Sequence, residues 1–188
     1  MADSQSTSKM QQDRPIAPEV SIGHVHLKVA DLERSVKFYT EVLGFEITER
    51  MGNSAAFLSA GGYHHHIGLN TWESAGGSPP PSHSTGLYHF AILMPSRKEL
   101  ARALKRSVDH KWPIDGAPDH GVSEAIYLRD PDDNGIVRQL VPPTAERRIR
   151  HRRKIYADRP RDQWPRESNG KLIMYTRPLD VDSLMGEL

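Results

Sequence analysis

Polar and apolar residues along this chain switch between two periods, and the switches mark its elements. From Ile22 to Val29, apolar Val25, Leu27 and Val29 alternate with His24, His26 and Lys28, which predicts a strand with one apolar face. Asp31 is a good helix N-cap, and Leu32, Val36, Tyr39 and Leu43 then recur at helical spacing until Gly44 supplies a C-terminal stop. Phe45 to Glu49, Ala55 to Ser59 and His64 to Asn70 read as three more short strands, parted by Gly-Asn and Gly-Gly turns. The unit is βαβββ. Residues 73–85 contain Gly76-Gly77-Ser78-Pro79-Pro80-Pro81, too poor in side chains to pack and too rich in proline to coil freely, so they predict a semi-extended linker.

The same order recurs after the linker. Leu87 to Met94 reads as a strand and Ser96-Arg97-Lys98-Glu99 as a capping box, with Leu100, Ala103, Leu104 and Val108 as the apolar stripe of the helix it opens. Short strands are expected near Trp112 to Ile114, Ser123 to Arg129 and Gly135 to Val141. His24 precedes Asp31 by seven residues and His89 precedes Ser96 by seven, with Leu27 and Val29 matched by Ile92 and Met94. Common grammar on both sides of a linker points to internal duplication. The expected fold class is therefore α+β: two paired βαβββ modules, 21–72 and 86–141, forming a curved mixed sheet around a cleft. Residues 1–20 are polar without an apolar period and predict a disordered arm. Residues 142–154 are expected to be a basic insertion and 155–188 a tail packing on the domain.

Composition narrows the chemistry. The 188 residues suit one domain with tails. No apolar run approaches the roughly 18 to 20 residues that span a bilayer, and the polar start lacks a signal-peptide core, so a cytoplasmic protein is expected. With no cysteine, thiol nucleophiles and zinc-thiolate sites are excluded, leaving histidine, carboxylate and hydroxyl groups. With 25 basic and 24 acidic side chains the net charge is +1, which argues against nucleic acid or an anionic membrane as partner. The run of bases from Arg147 to Lys154 has no interleaved aromatics and reads as a solvated segment.

Ten histidines are the conspicuous chemical resource. If the two units are related by a pseudo-twofold axis, His24 and His89 lie on equivalent strands and face each other, half of a metal site. Two imidazoles and one carboxylate on a single face would leave open positions for substrate and oxygen on iron. In the run His64-His65-His66, alternation sends His64 and His66 to one strand face, so His66 and Asn70 are candidate substrate contacts.

The stretch IGHVHLKVADLERSVKFYTEVLGFEI resembles the opening module of the vicinal oxygen chelate superfamily, which includes glyoxalase I, extradiol ring-cleaving dioxygenases and antibiotic-resistance proteins. GLYHFAILMP and HGVSEAIYLRDPDDNG resemble its second module. Tyr63 to Trp72, and the spacing from His120 to Tyr127 and Asp130-Pro131, are most similar to the catechol 2,3-dioxygenase branch. The resemblance covers about Ile22 to Ile136 and resumes from Ile155 to Leu188. It implies iron(II), another divalent metal remaining open, with His24 and His89 as ligands. It also implies His120 as acid-base group, Tyr127 as a hydrogen-bond partner of the substrate, a catechol-like aromatic diol as substrate and a homodimer. The sequence departs from the pattern where a metal-binding glutamate is expected: Val137 stands there, and Asp133 stands where glycine is usual. A register using the later segment would put Lys154 at that position. Gln139, of the same strand parity, is the candidate third ligand, a neutral type that the resemblance to glyoxalase I allows, with Glu146 as a second possibility. Alternatives are a binding protein that sequesters an aromatic or antibiotic-like molecule without turnover, and a glyoxalase-type isomerase or lyase.

Overall fold

The computed structural model describes residues 15–17, 19–121, 123–140, 167–169 and 176–188. The candidate ligand Glu146, the basic insertion, most of the N-terminal arm and much of the tail lie outside these.

Strand β1 (Val25–Lys28) leads through the Asp31 cap, whose carboxylate accepts from the Arg34 amide at 3.0 Å, into α1 (Leu32–Lys37). The helix runs on through a wider π turn (Phe38–Val42), in which the Leu43 amide reaches back to Phe38 O, and Gly44 ends it at φ +89°. Strands β2 (Glu46–Met51), β3 (Ala55–Ser59) and β4 (Ile67–Asn70) complete the first unit, and β1 lies parallel to β4 in the order β1-β4-β3-β2. After the linker come β5 (Phe90–Leu93) and α2 (Arg97–Asp109), with the Ser96 hydroxyl accepting from the Glu99 amide at 3.2 Å. Strands β6 (Pro118–Asp119), β7 (Glu124–Arg129), β8 (Gly135–Leu140) and β9 (Arg177–Pro178) follow, then α3 (Val181–Met185). The second sheet runs β5-β8-β7-β6-β9, with β5 parallel to β8.

The parallel pair thus recurs, as duplication requires. Among the described residues the hydrogen-bonded ladder is divided into two sheets rather than continuous, with β1 and β5 at sheet edges. The strand expected at Trp112 to Ile114 does not form. Lys111 takes φ +53°, the Trp112 amide is used by Ser107 O, and Pro113 has no N–H to give to a ladder. Pairing begins instead with the Gly116 bridge to Tyr127 and with β6. His64, His65 and His66 precede β4 rather than lie within it, so their side chains do not alternate as strand residues.

One apolar core joins the halves: Leu27, Val29, Leu32, Val36, Leu58, Ile67 and Leu69 pack with Leu128 and Ile136. A second collects Leu100, Leu104, Ile126 and Leu140 with Leu179 and Leu184 of the C-terminal segment. A polar tie runs between the halves. Asp132, 8% exposed, accepts from the Ala30 amide (3.2 Å), the Arg34 guanidinium (2.5 Å) and the Ser35 hydroxyl (3.2 Å). Tyr39 donates to Asp130 Oδ2 at 3.0 Å. Burial pushes the Asp130 carboxyl up, opposed by hydrogen bonds from Asn134, Asp132 and Tyr39, and burial beside Asp130 pushes the Tyr39 phenol up as well.

Candidate functional site

The two parallel pairs place the leading histidines at equivalent positions. His24 immediately precedes Val25, which is level with Ile67, and His89 immediately precedes Phe90, which is level with Ile136. Gly135 is needed beside His89, because a Cβ there would drive into Tyr88 O and the His89 side chain. On β8, Val137 is level with Ala91 of β5 and Tyr127 of β7, so its side chain shares the face from which His89 and Tyr127 project. The rings of those two meet edge to face, centroids 5.8 Å apart.

A cleft of about 700 Å³ opens on this face. His89, Tyr88, Tyr127, Asp115, Arg129 and Thr176 are among the residues that line it. His120, half-buried, turns Nε2 toward the Tyr127 hydroxyl at 3.1 Å and Nδ1 toward Thr176 Oγ1, also at 3.1 Å. The basic side chains at the rim already face carboxylates: Arg129 reaches Asp115 at 3.1 Å and Arg177 reaches Asp119 at 2.6 Å. The Gly121 amide and the Arg177 guanidinium hold the Asp119 carboxyl below the usual carboxylate range.

Three of the residues singled out from sequence, His89, His120 and Tyr127, are therefore brought together. The others sit elsewhere. His24 is exposed and stacks against His65, centroids 4.5 Å apart, outside the lining of the cleft. His66 Nδ1 lies 3.0 Å from the Ser59 hydroxyl, and burial, with His64 nearby, pushes its imidazole below the usual range. Asn70 is buried and its Oδ1 caps the Trp72 amide at 3.2 Å. Gln139 donates to Ser123 Oγ at 2.8 Å. It stands four residues beyond Gly135, the residue level with His89, a separation of roughly 13 Å at about 3.3 Å per strand residue. One iron held by both His89 and Gln139 would need the two side chains extended toward each other, whereas the Gln139 amide is turned to Ser123.

A metal is tested by these donors. The carboxylate position holds Val137, 2% exposed and without a donor atom. Among the described residues no group of three or more histidines and carboxylates is placed to hold an ion. Two imidazoles alone do not fit the facial site that iron(II) would need. β8 itself runs through Val137 to Leu140, so the register that keeps valine at this position is the one adopted.

A tail packing on the domain is expected from sequence, but neither Thr176 nor a place for the tail in the cleft is marked there, since both depend on β9 pairing with β6 far away in the chain.

Fold and cleft fall within one superfamily: residues 21–137 match the Glyoxalase/Bleomycin resistance protein/Dioxygenase superfamily, and the chain belongs to it. It is 41% identical to a catechol-2,3-dioxygenase of Bacillus subtilis (strain 168) over 172 residues, 92% of this chain and 53% of that protein. It is 34% identical to a metapyrocatechase of Geobacillus stearothermophilus over 122 residues, 63% of this chain and 34% of that protein. The chain thus spans about half the length, or less, of these two relatives. A glyoxalase/dioxygenase structure from Nostoc punctiforme shares the fold, with TM-score 0.57 at 22% identity over 70% of this chain and 99% of that one. No helix among the described residues is long and apolar enough to cross a membrane.

Proposed function

We propose that the protein takes a catechol-like aromatic diol into this cleft as a member of the extradiol ring-cleaving line. The observation that carries the reading is the His120–Tyr127 pair, 3.1 Å apart, beside His89 on the cleft face. The similarity to the catechol-2,3-dioxygenase supports it. With Arg129 and Arg177 facing Asp115 and Asp119, the rim suits an uncharged ring better than a carboxylated one. In this reading a diol hydroxyl donates to Tyr127 Oη, whose own hydrogen lies toward His120 Nε2, so the diol proton reaches and returns from His120 through the phenol. Iron(II) is the metal the reading calls for; His89 on the cleft face would be one imidazole ligand, and His24, the other, would have to turn from His65 to join it. The third donor is what the described residues lack.

Val137 favours a second reading, retention of an aromatic molecule without turnover. Catechol titrated into the anaerobic protein, followed by oxygen uptake in excess iron(II), separates the two. Binding with uptake supports ring cleavage, binding without uptake supports retention, and no binding removes both. Under the ring-cleavage reading, His120→Ala lowers the uptake rate by roughly 100-fold or more, the usual scale for losing a general acid-base group. The homodimer belongs to the same reading and is tested by sedimentation velocity.

A further inference from the structure

We propose that Thr176 is a positioning residue that fixes the tautomer of His120, so that the C-terminal segment is a working part of the cleft. Each ring nitrogen of His120 has one oxygen partner: Tyr127 Oη at Nε2 and Thr176 Oγ1 at Nδ1, both at 3.1 Å. A neutral imidazole has one N–H to give and one lone pair to offer. Of the two hydroxyls, the phenol is the far stronger acid and so the better donor, while the bare imidazole nitrogen is a better acceptor than a phenol oxygen. Tyr127 therefore donates to Nε2, and Nδ1 carries the hydrogen and donates to Thr176 Oγ1. A free neutral histidine side chain prefers the opposite arrangement, with the hydrogen on Nε2. Thr176 works against that preference and keeps a lone pair at Nε2, the nitrogen that faces the cleft-lining Tyr127.

The segment is anchored well enough to hold such a geometry. Asp119, the neighbour of His120, accepts from Arg177 Nε at 2.9 Å and Nη2 at 2.6 Å. Arg177 and Pro178 pair with Asp119 and Pro118, and the Leu179 amide donates to Ala117 O at 2.8 Å. Leu184 is fully buried against α2, and Arg97 reaches the Ser183 carbonyl at 3.0 Å and Glu187 at 3.1 Å. Both residues that bracket His120, Tyr127 and Thr176, line the same cleft as His89.

The use of the Nε2 lone pair as a proton acceptor for a diol rests on the ring-cleavage reading; the tautomer itself can be read without turnover. The experiment is long-range proton–nitrogen correlation NMR on the full chain labelled at histidine nitrogens, at about pH 8 where an ordinary imidazole is neutral. His120 is assigned by its loss in His120→Gln. Wild type and Thr176→Ser are expected to show hydrogen on Nδ1 and a bare Nε2. Thr176→Val is expected to move the hydrogen to Nε2, and Thr176→Ala, which removes the same oxygen with a smaller side chain, to do likewise should the valine variant fail to fold. An Nε2–H tautomer in wild type, or an unchanged tautomer when the threonine oxygen is gone, overturns the inference. A protein inactive toward catechol that shows the expected pattern keeps the inference and loses the ring-cleavage reading. Active protein with Nε2–H does the reverse.

Discussion

Val137 is level with Ala91 and Tyr127 across two ladders, which puts a donor-free side chain on the one face where a carboxylate would meet His89. Its neighbour Arg138 projects the other way and is 2% exposed. The guanidinium donates to Ala103 O, to Ser107 Oγ at 2.8 Å and to Val42 O at 2.7 Å, carbonyls and a hydroxyl rather than a carboxylate. Burial, with Arg106 nearby, lowers its pKa to about 10. β8 thus carries one residue without the expected donor and one that burial penalises. Two positions in the preceding turn are equally specific. Asp133 sits at φ +67°, the left-handed region that explains why glycine is usual there. Its ion pair with Arg129 spans 3.2 Å between side chains about half exposed, so little is lost with it. Asp133→Gly is therefore expected to stabilise the fold by about 0.5 to 1 kcal/mol, measured by urea denaturation; a loss of stability would mean that the carboxylate matters more than the backbone. At Gly135 the sign reverses: Gly135→Ala should cost about 1 to 3 kcal/mol, because the added methyl meets backbone that cannot move away.

At the scale of elements, the run Asp130-Pro131-Asp132, part of the motif that suggested ring cleavage, binds α1 to the β7–β8 turn instead of touching the cleft. Asp132→Ala, which leaves the Ala30 amide and Ser35 hydroxyl without their acceptor, is expected to lower stability by roughly 1.5 to 3 kcal/mol, read from the thermal midpoint. The C-terminal helix α3 is held mainly by Leu184, and Leu184→Ala should cost about 2 to 5 kcal/mol while loosening Thr176 from His120. His66, between β3 and β4, gives a pH dependence. Its folded pKa lies below the ordinary one, so as pH falls the unfolded chain takes up the proton first. Stability contributed by the neutral ring is complete above about pH 6.5 and is lost as pH falls from there through the folded value. Thermal melts across that window should show a drop that His66→Gln reduces; an identical drop in the variant would assign the effect to other groups.

Across the whole molecule, the parts legible in the sequence are those set by local period and capping. β3 spans the residues that read as a strand, Asp31 and Ser96 cap the helices they are expected to cap, and the parallel pairing recurs with the repeated strand-cap-helix order. The spacing from His120 to Tyr127 carries the resemblance, and the fold sets that pair beside His89. What was not legible depends on pairing across long distances. Thr176 meets His120 over 56 residues of chain, and nothing local to either marks the contact. The histidine run ahead of β4 shows the converse: alternation was extended past the end of a strand, and His66 packs by Ser59 while Asn70 serves as a cap. Gln139 has the right parity but stands four residues past the level of His89 and is taken up by Ser123, which only the β5–β8 register reveals.

Position 137 decides between a complete and an incomplete centre, and one comparison tests it most directly. Wild type and Val137→Glu are each loaded anaerobically with iron(II), freed of excess metal and analysed for iron. Wild type is expected to retain far less than stoichiometric iron and Val137→Glu several-fold more, since a carboxylate there joins His89 on one face. Near-stoichiometric iron in wild type, unchanged in the variant, would contradict this and place the third donor elsewhere in the chain.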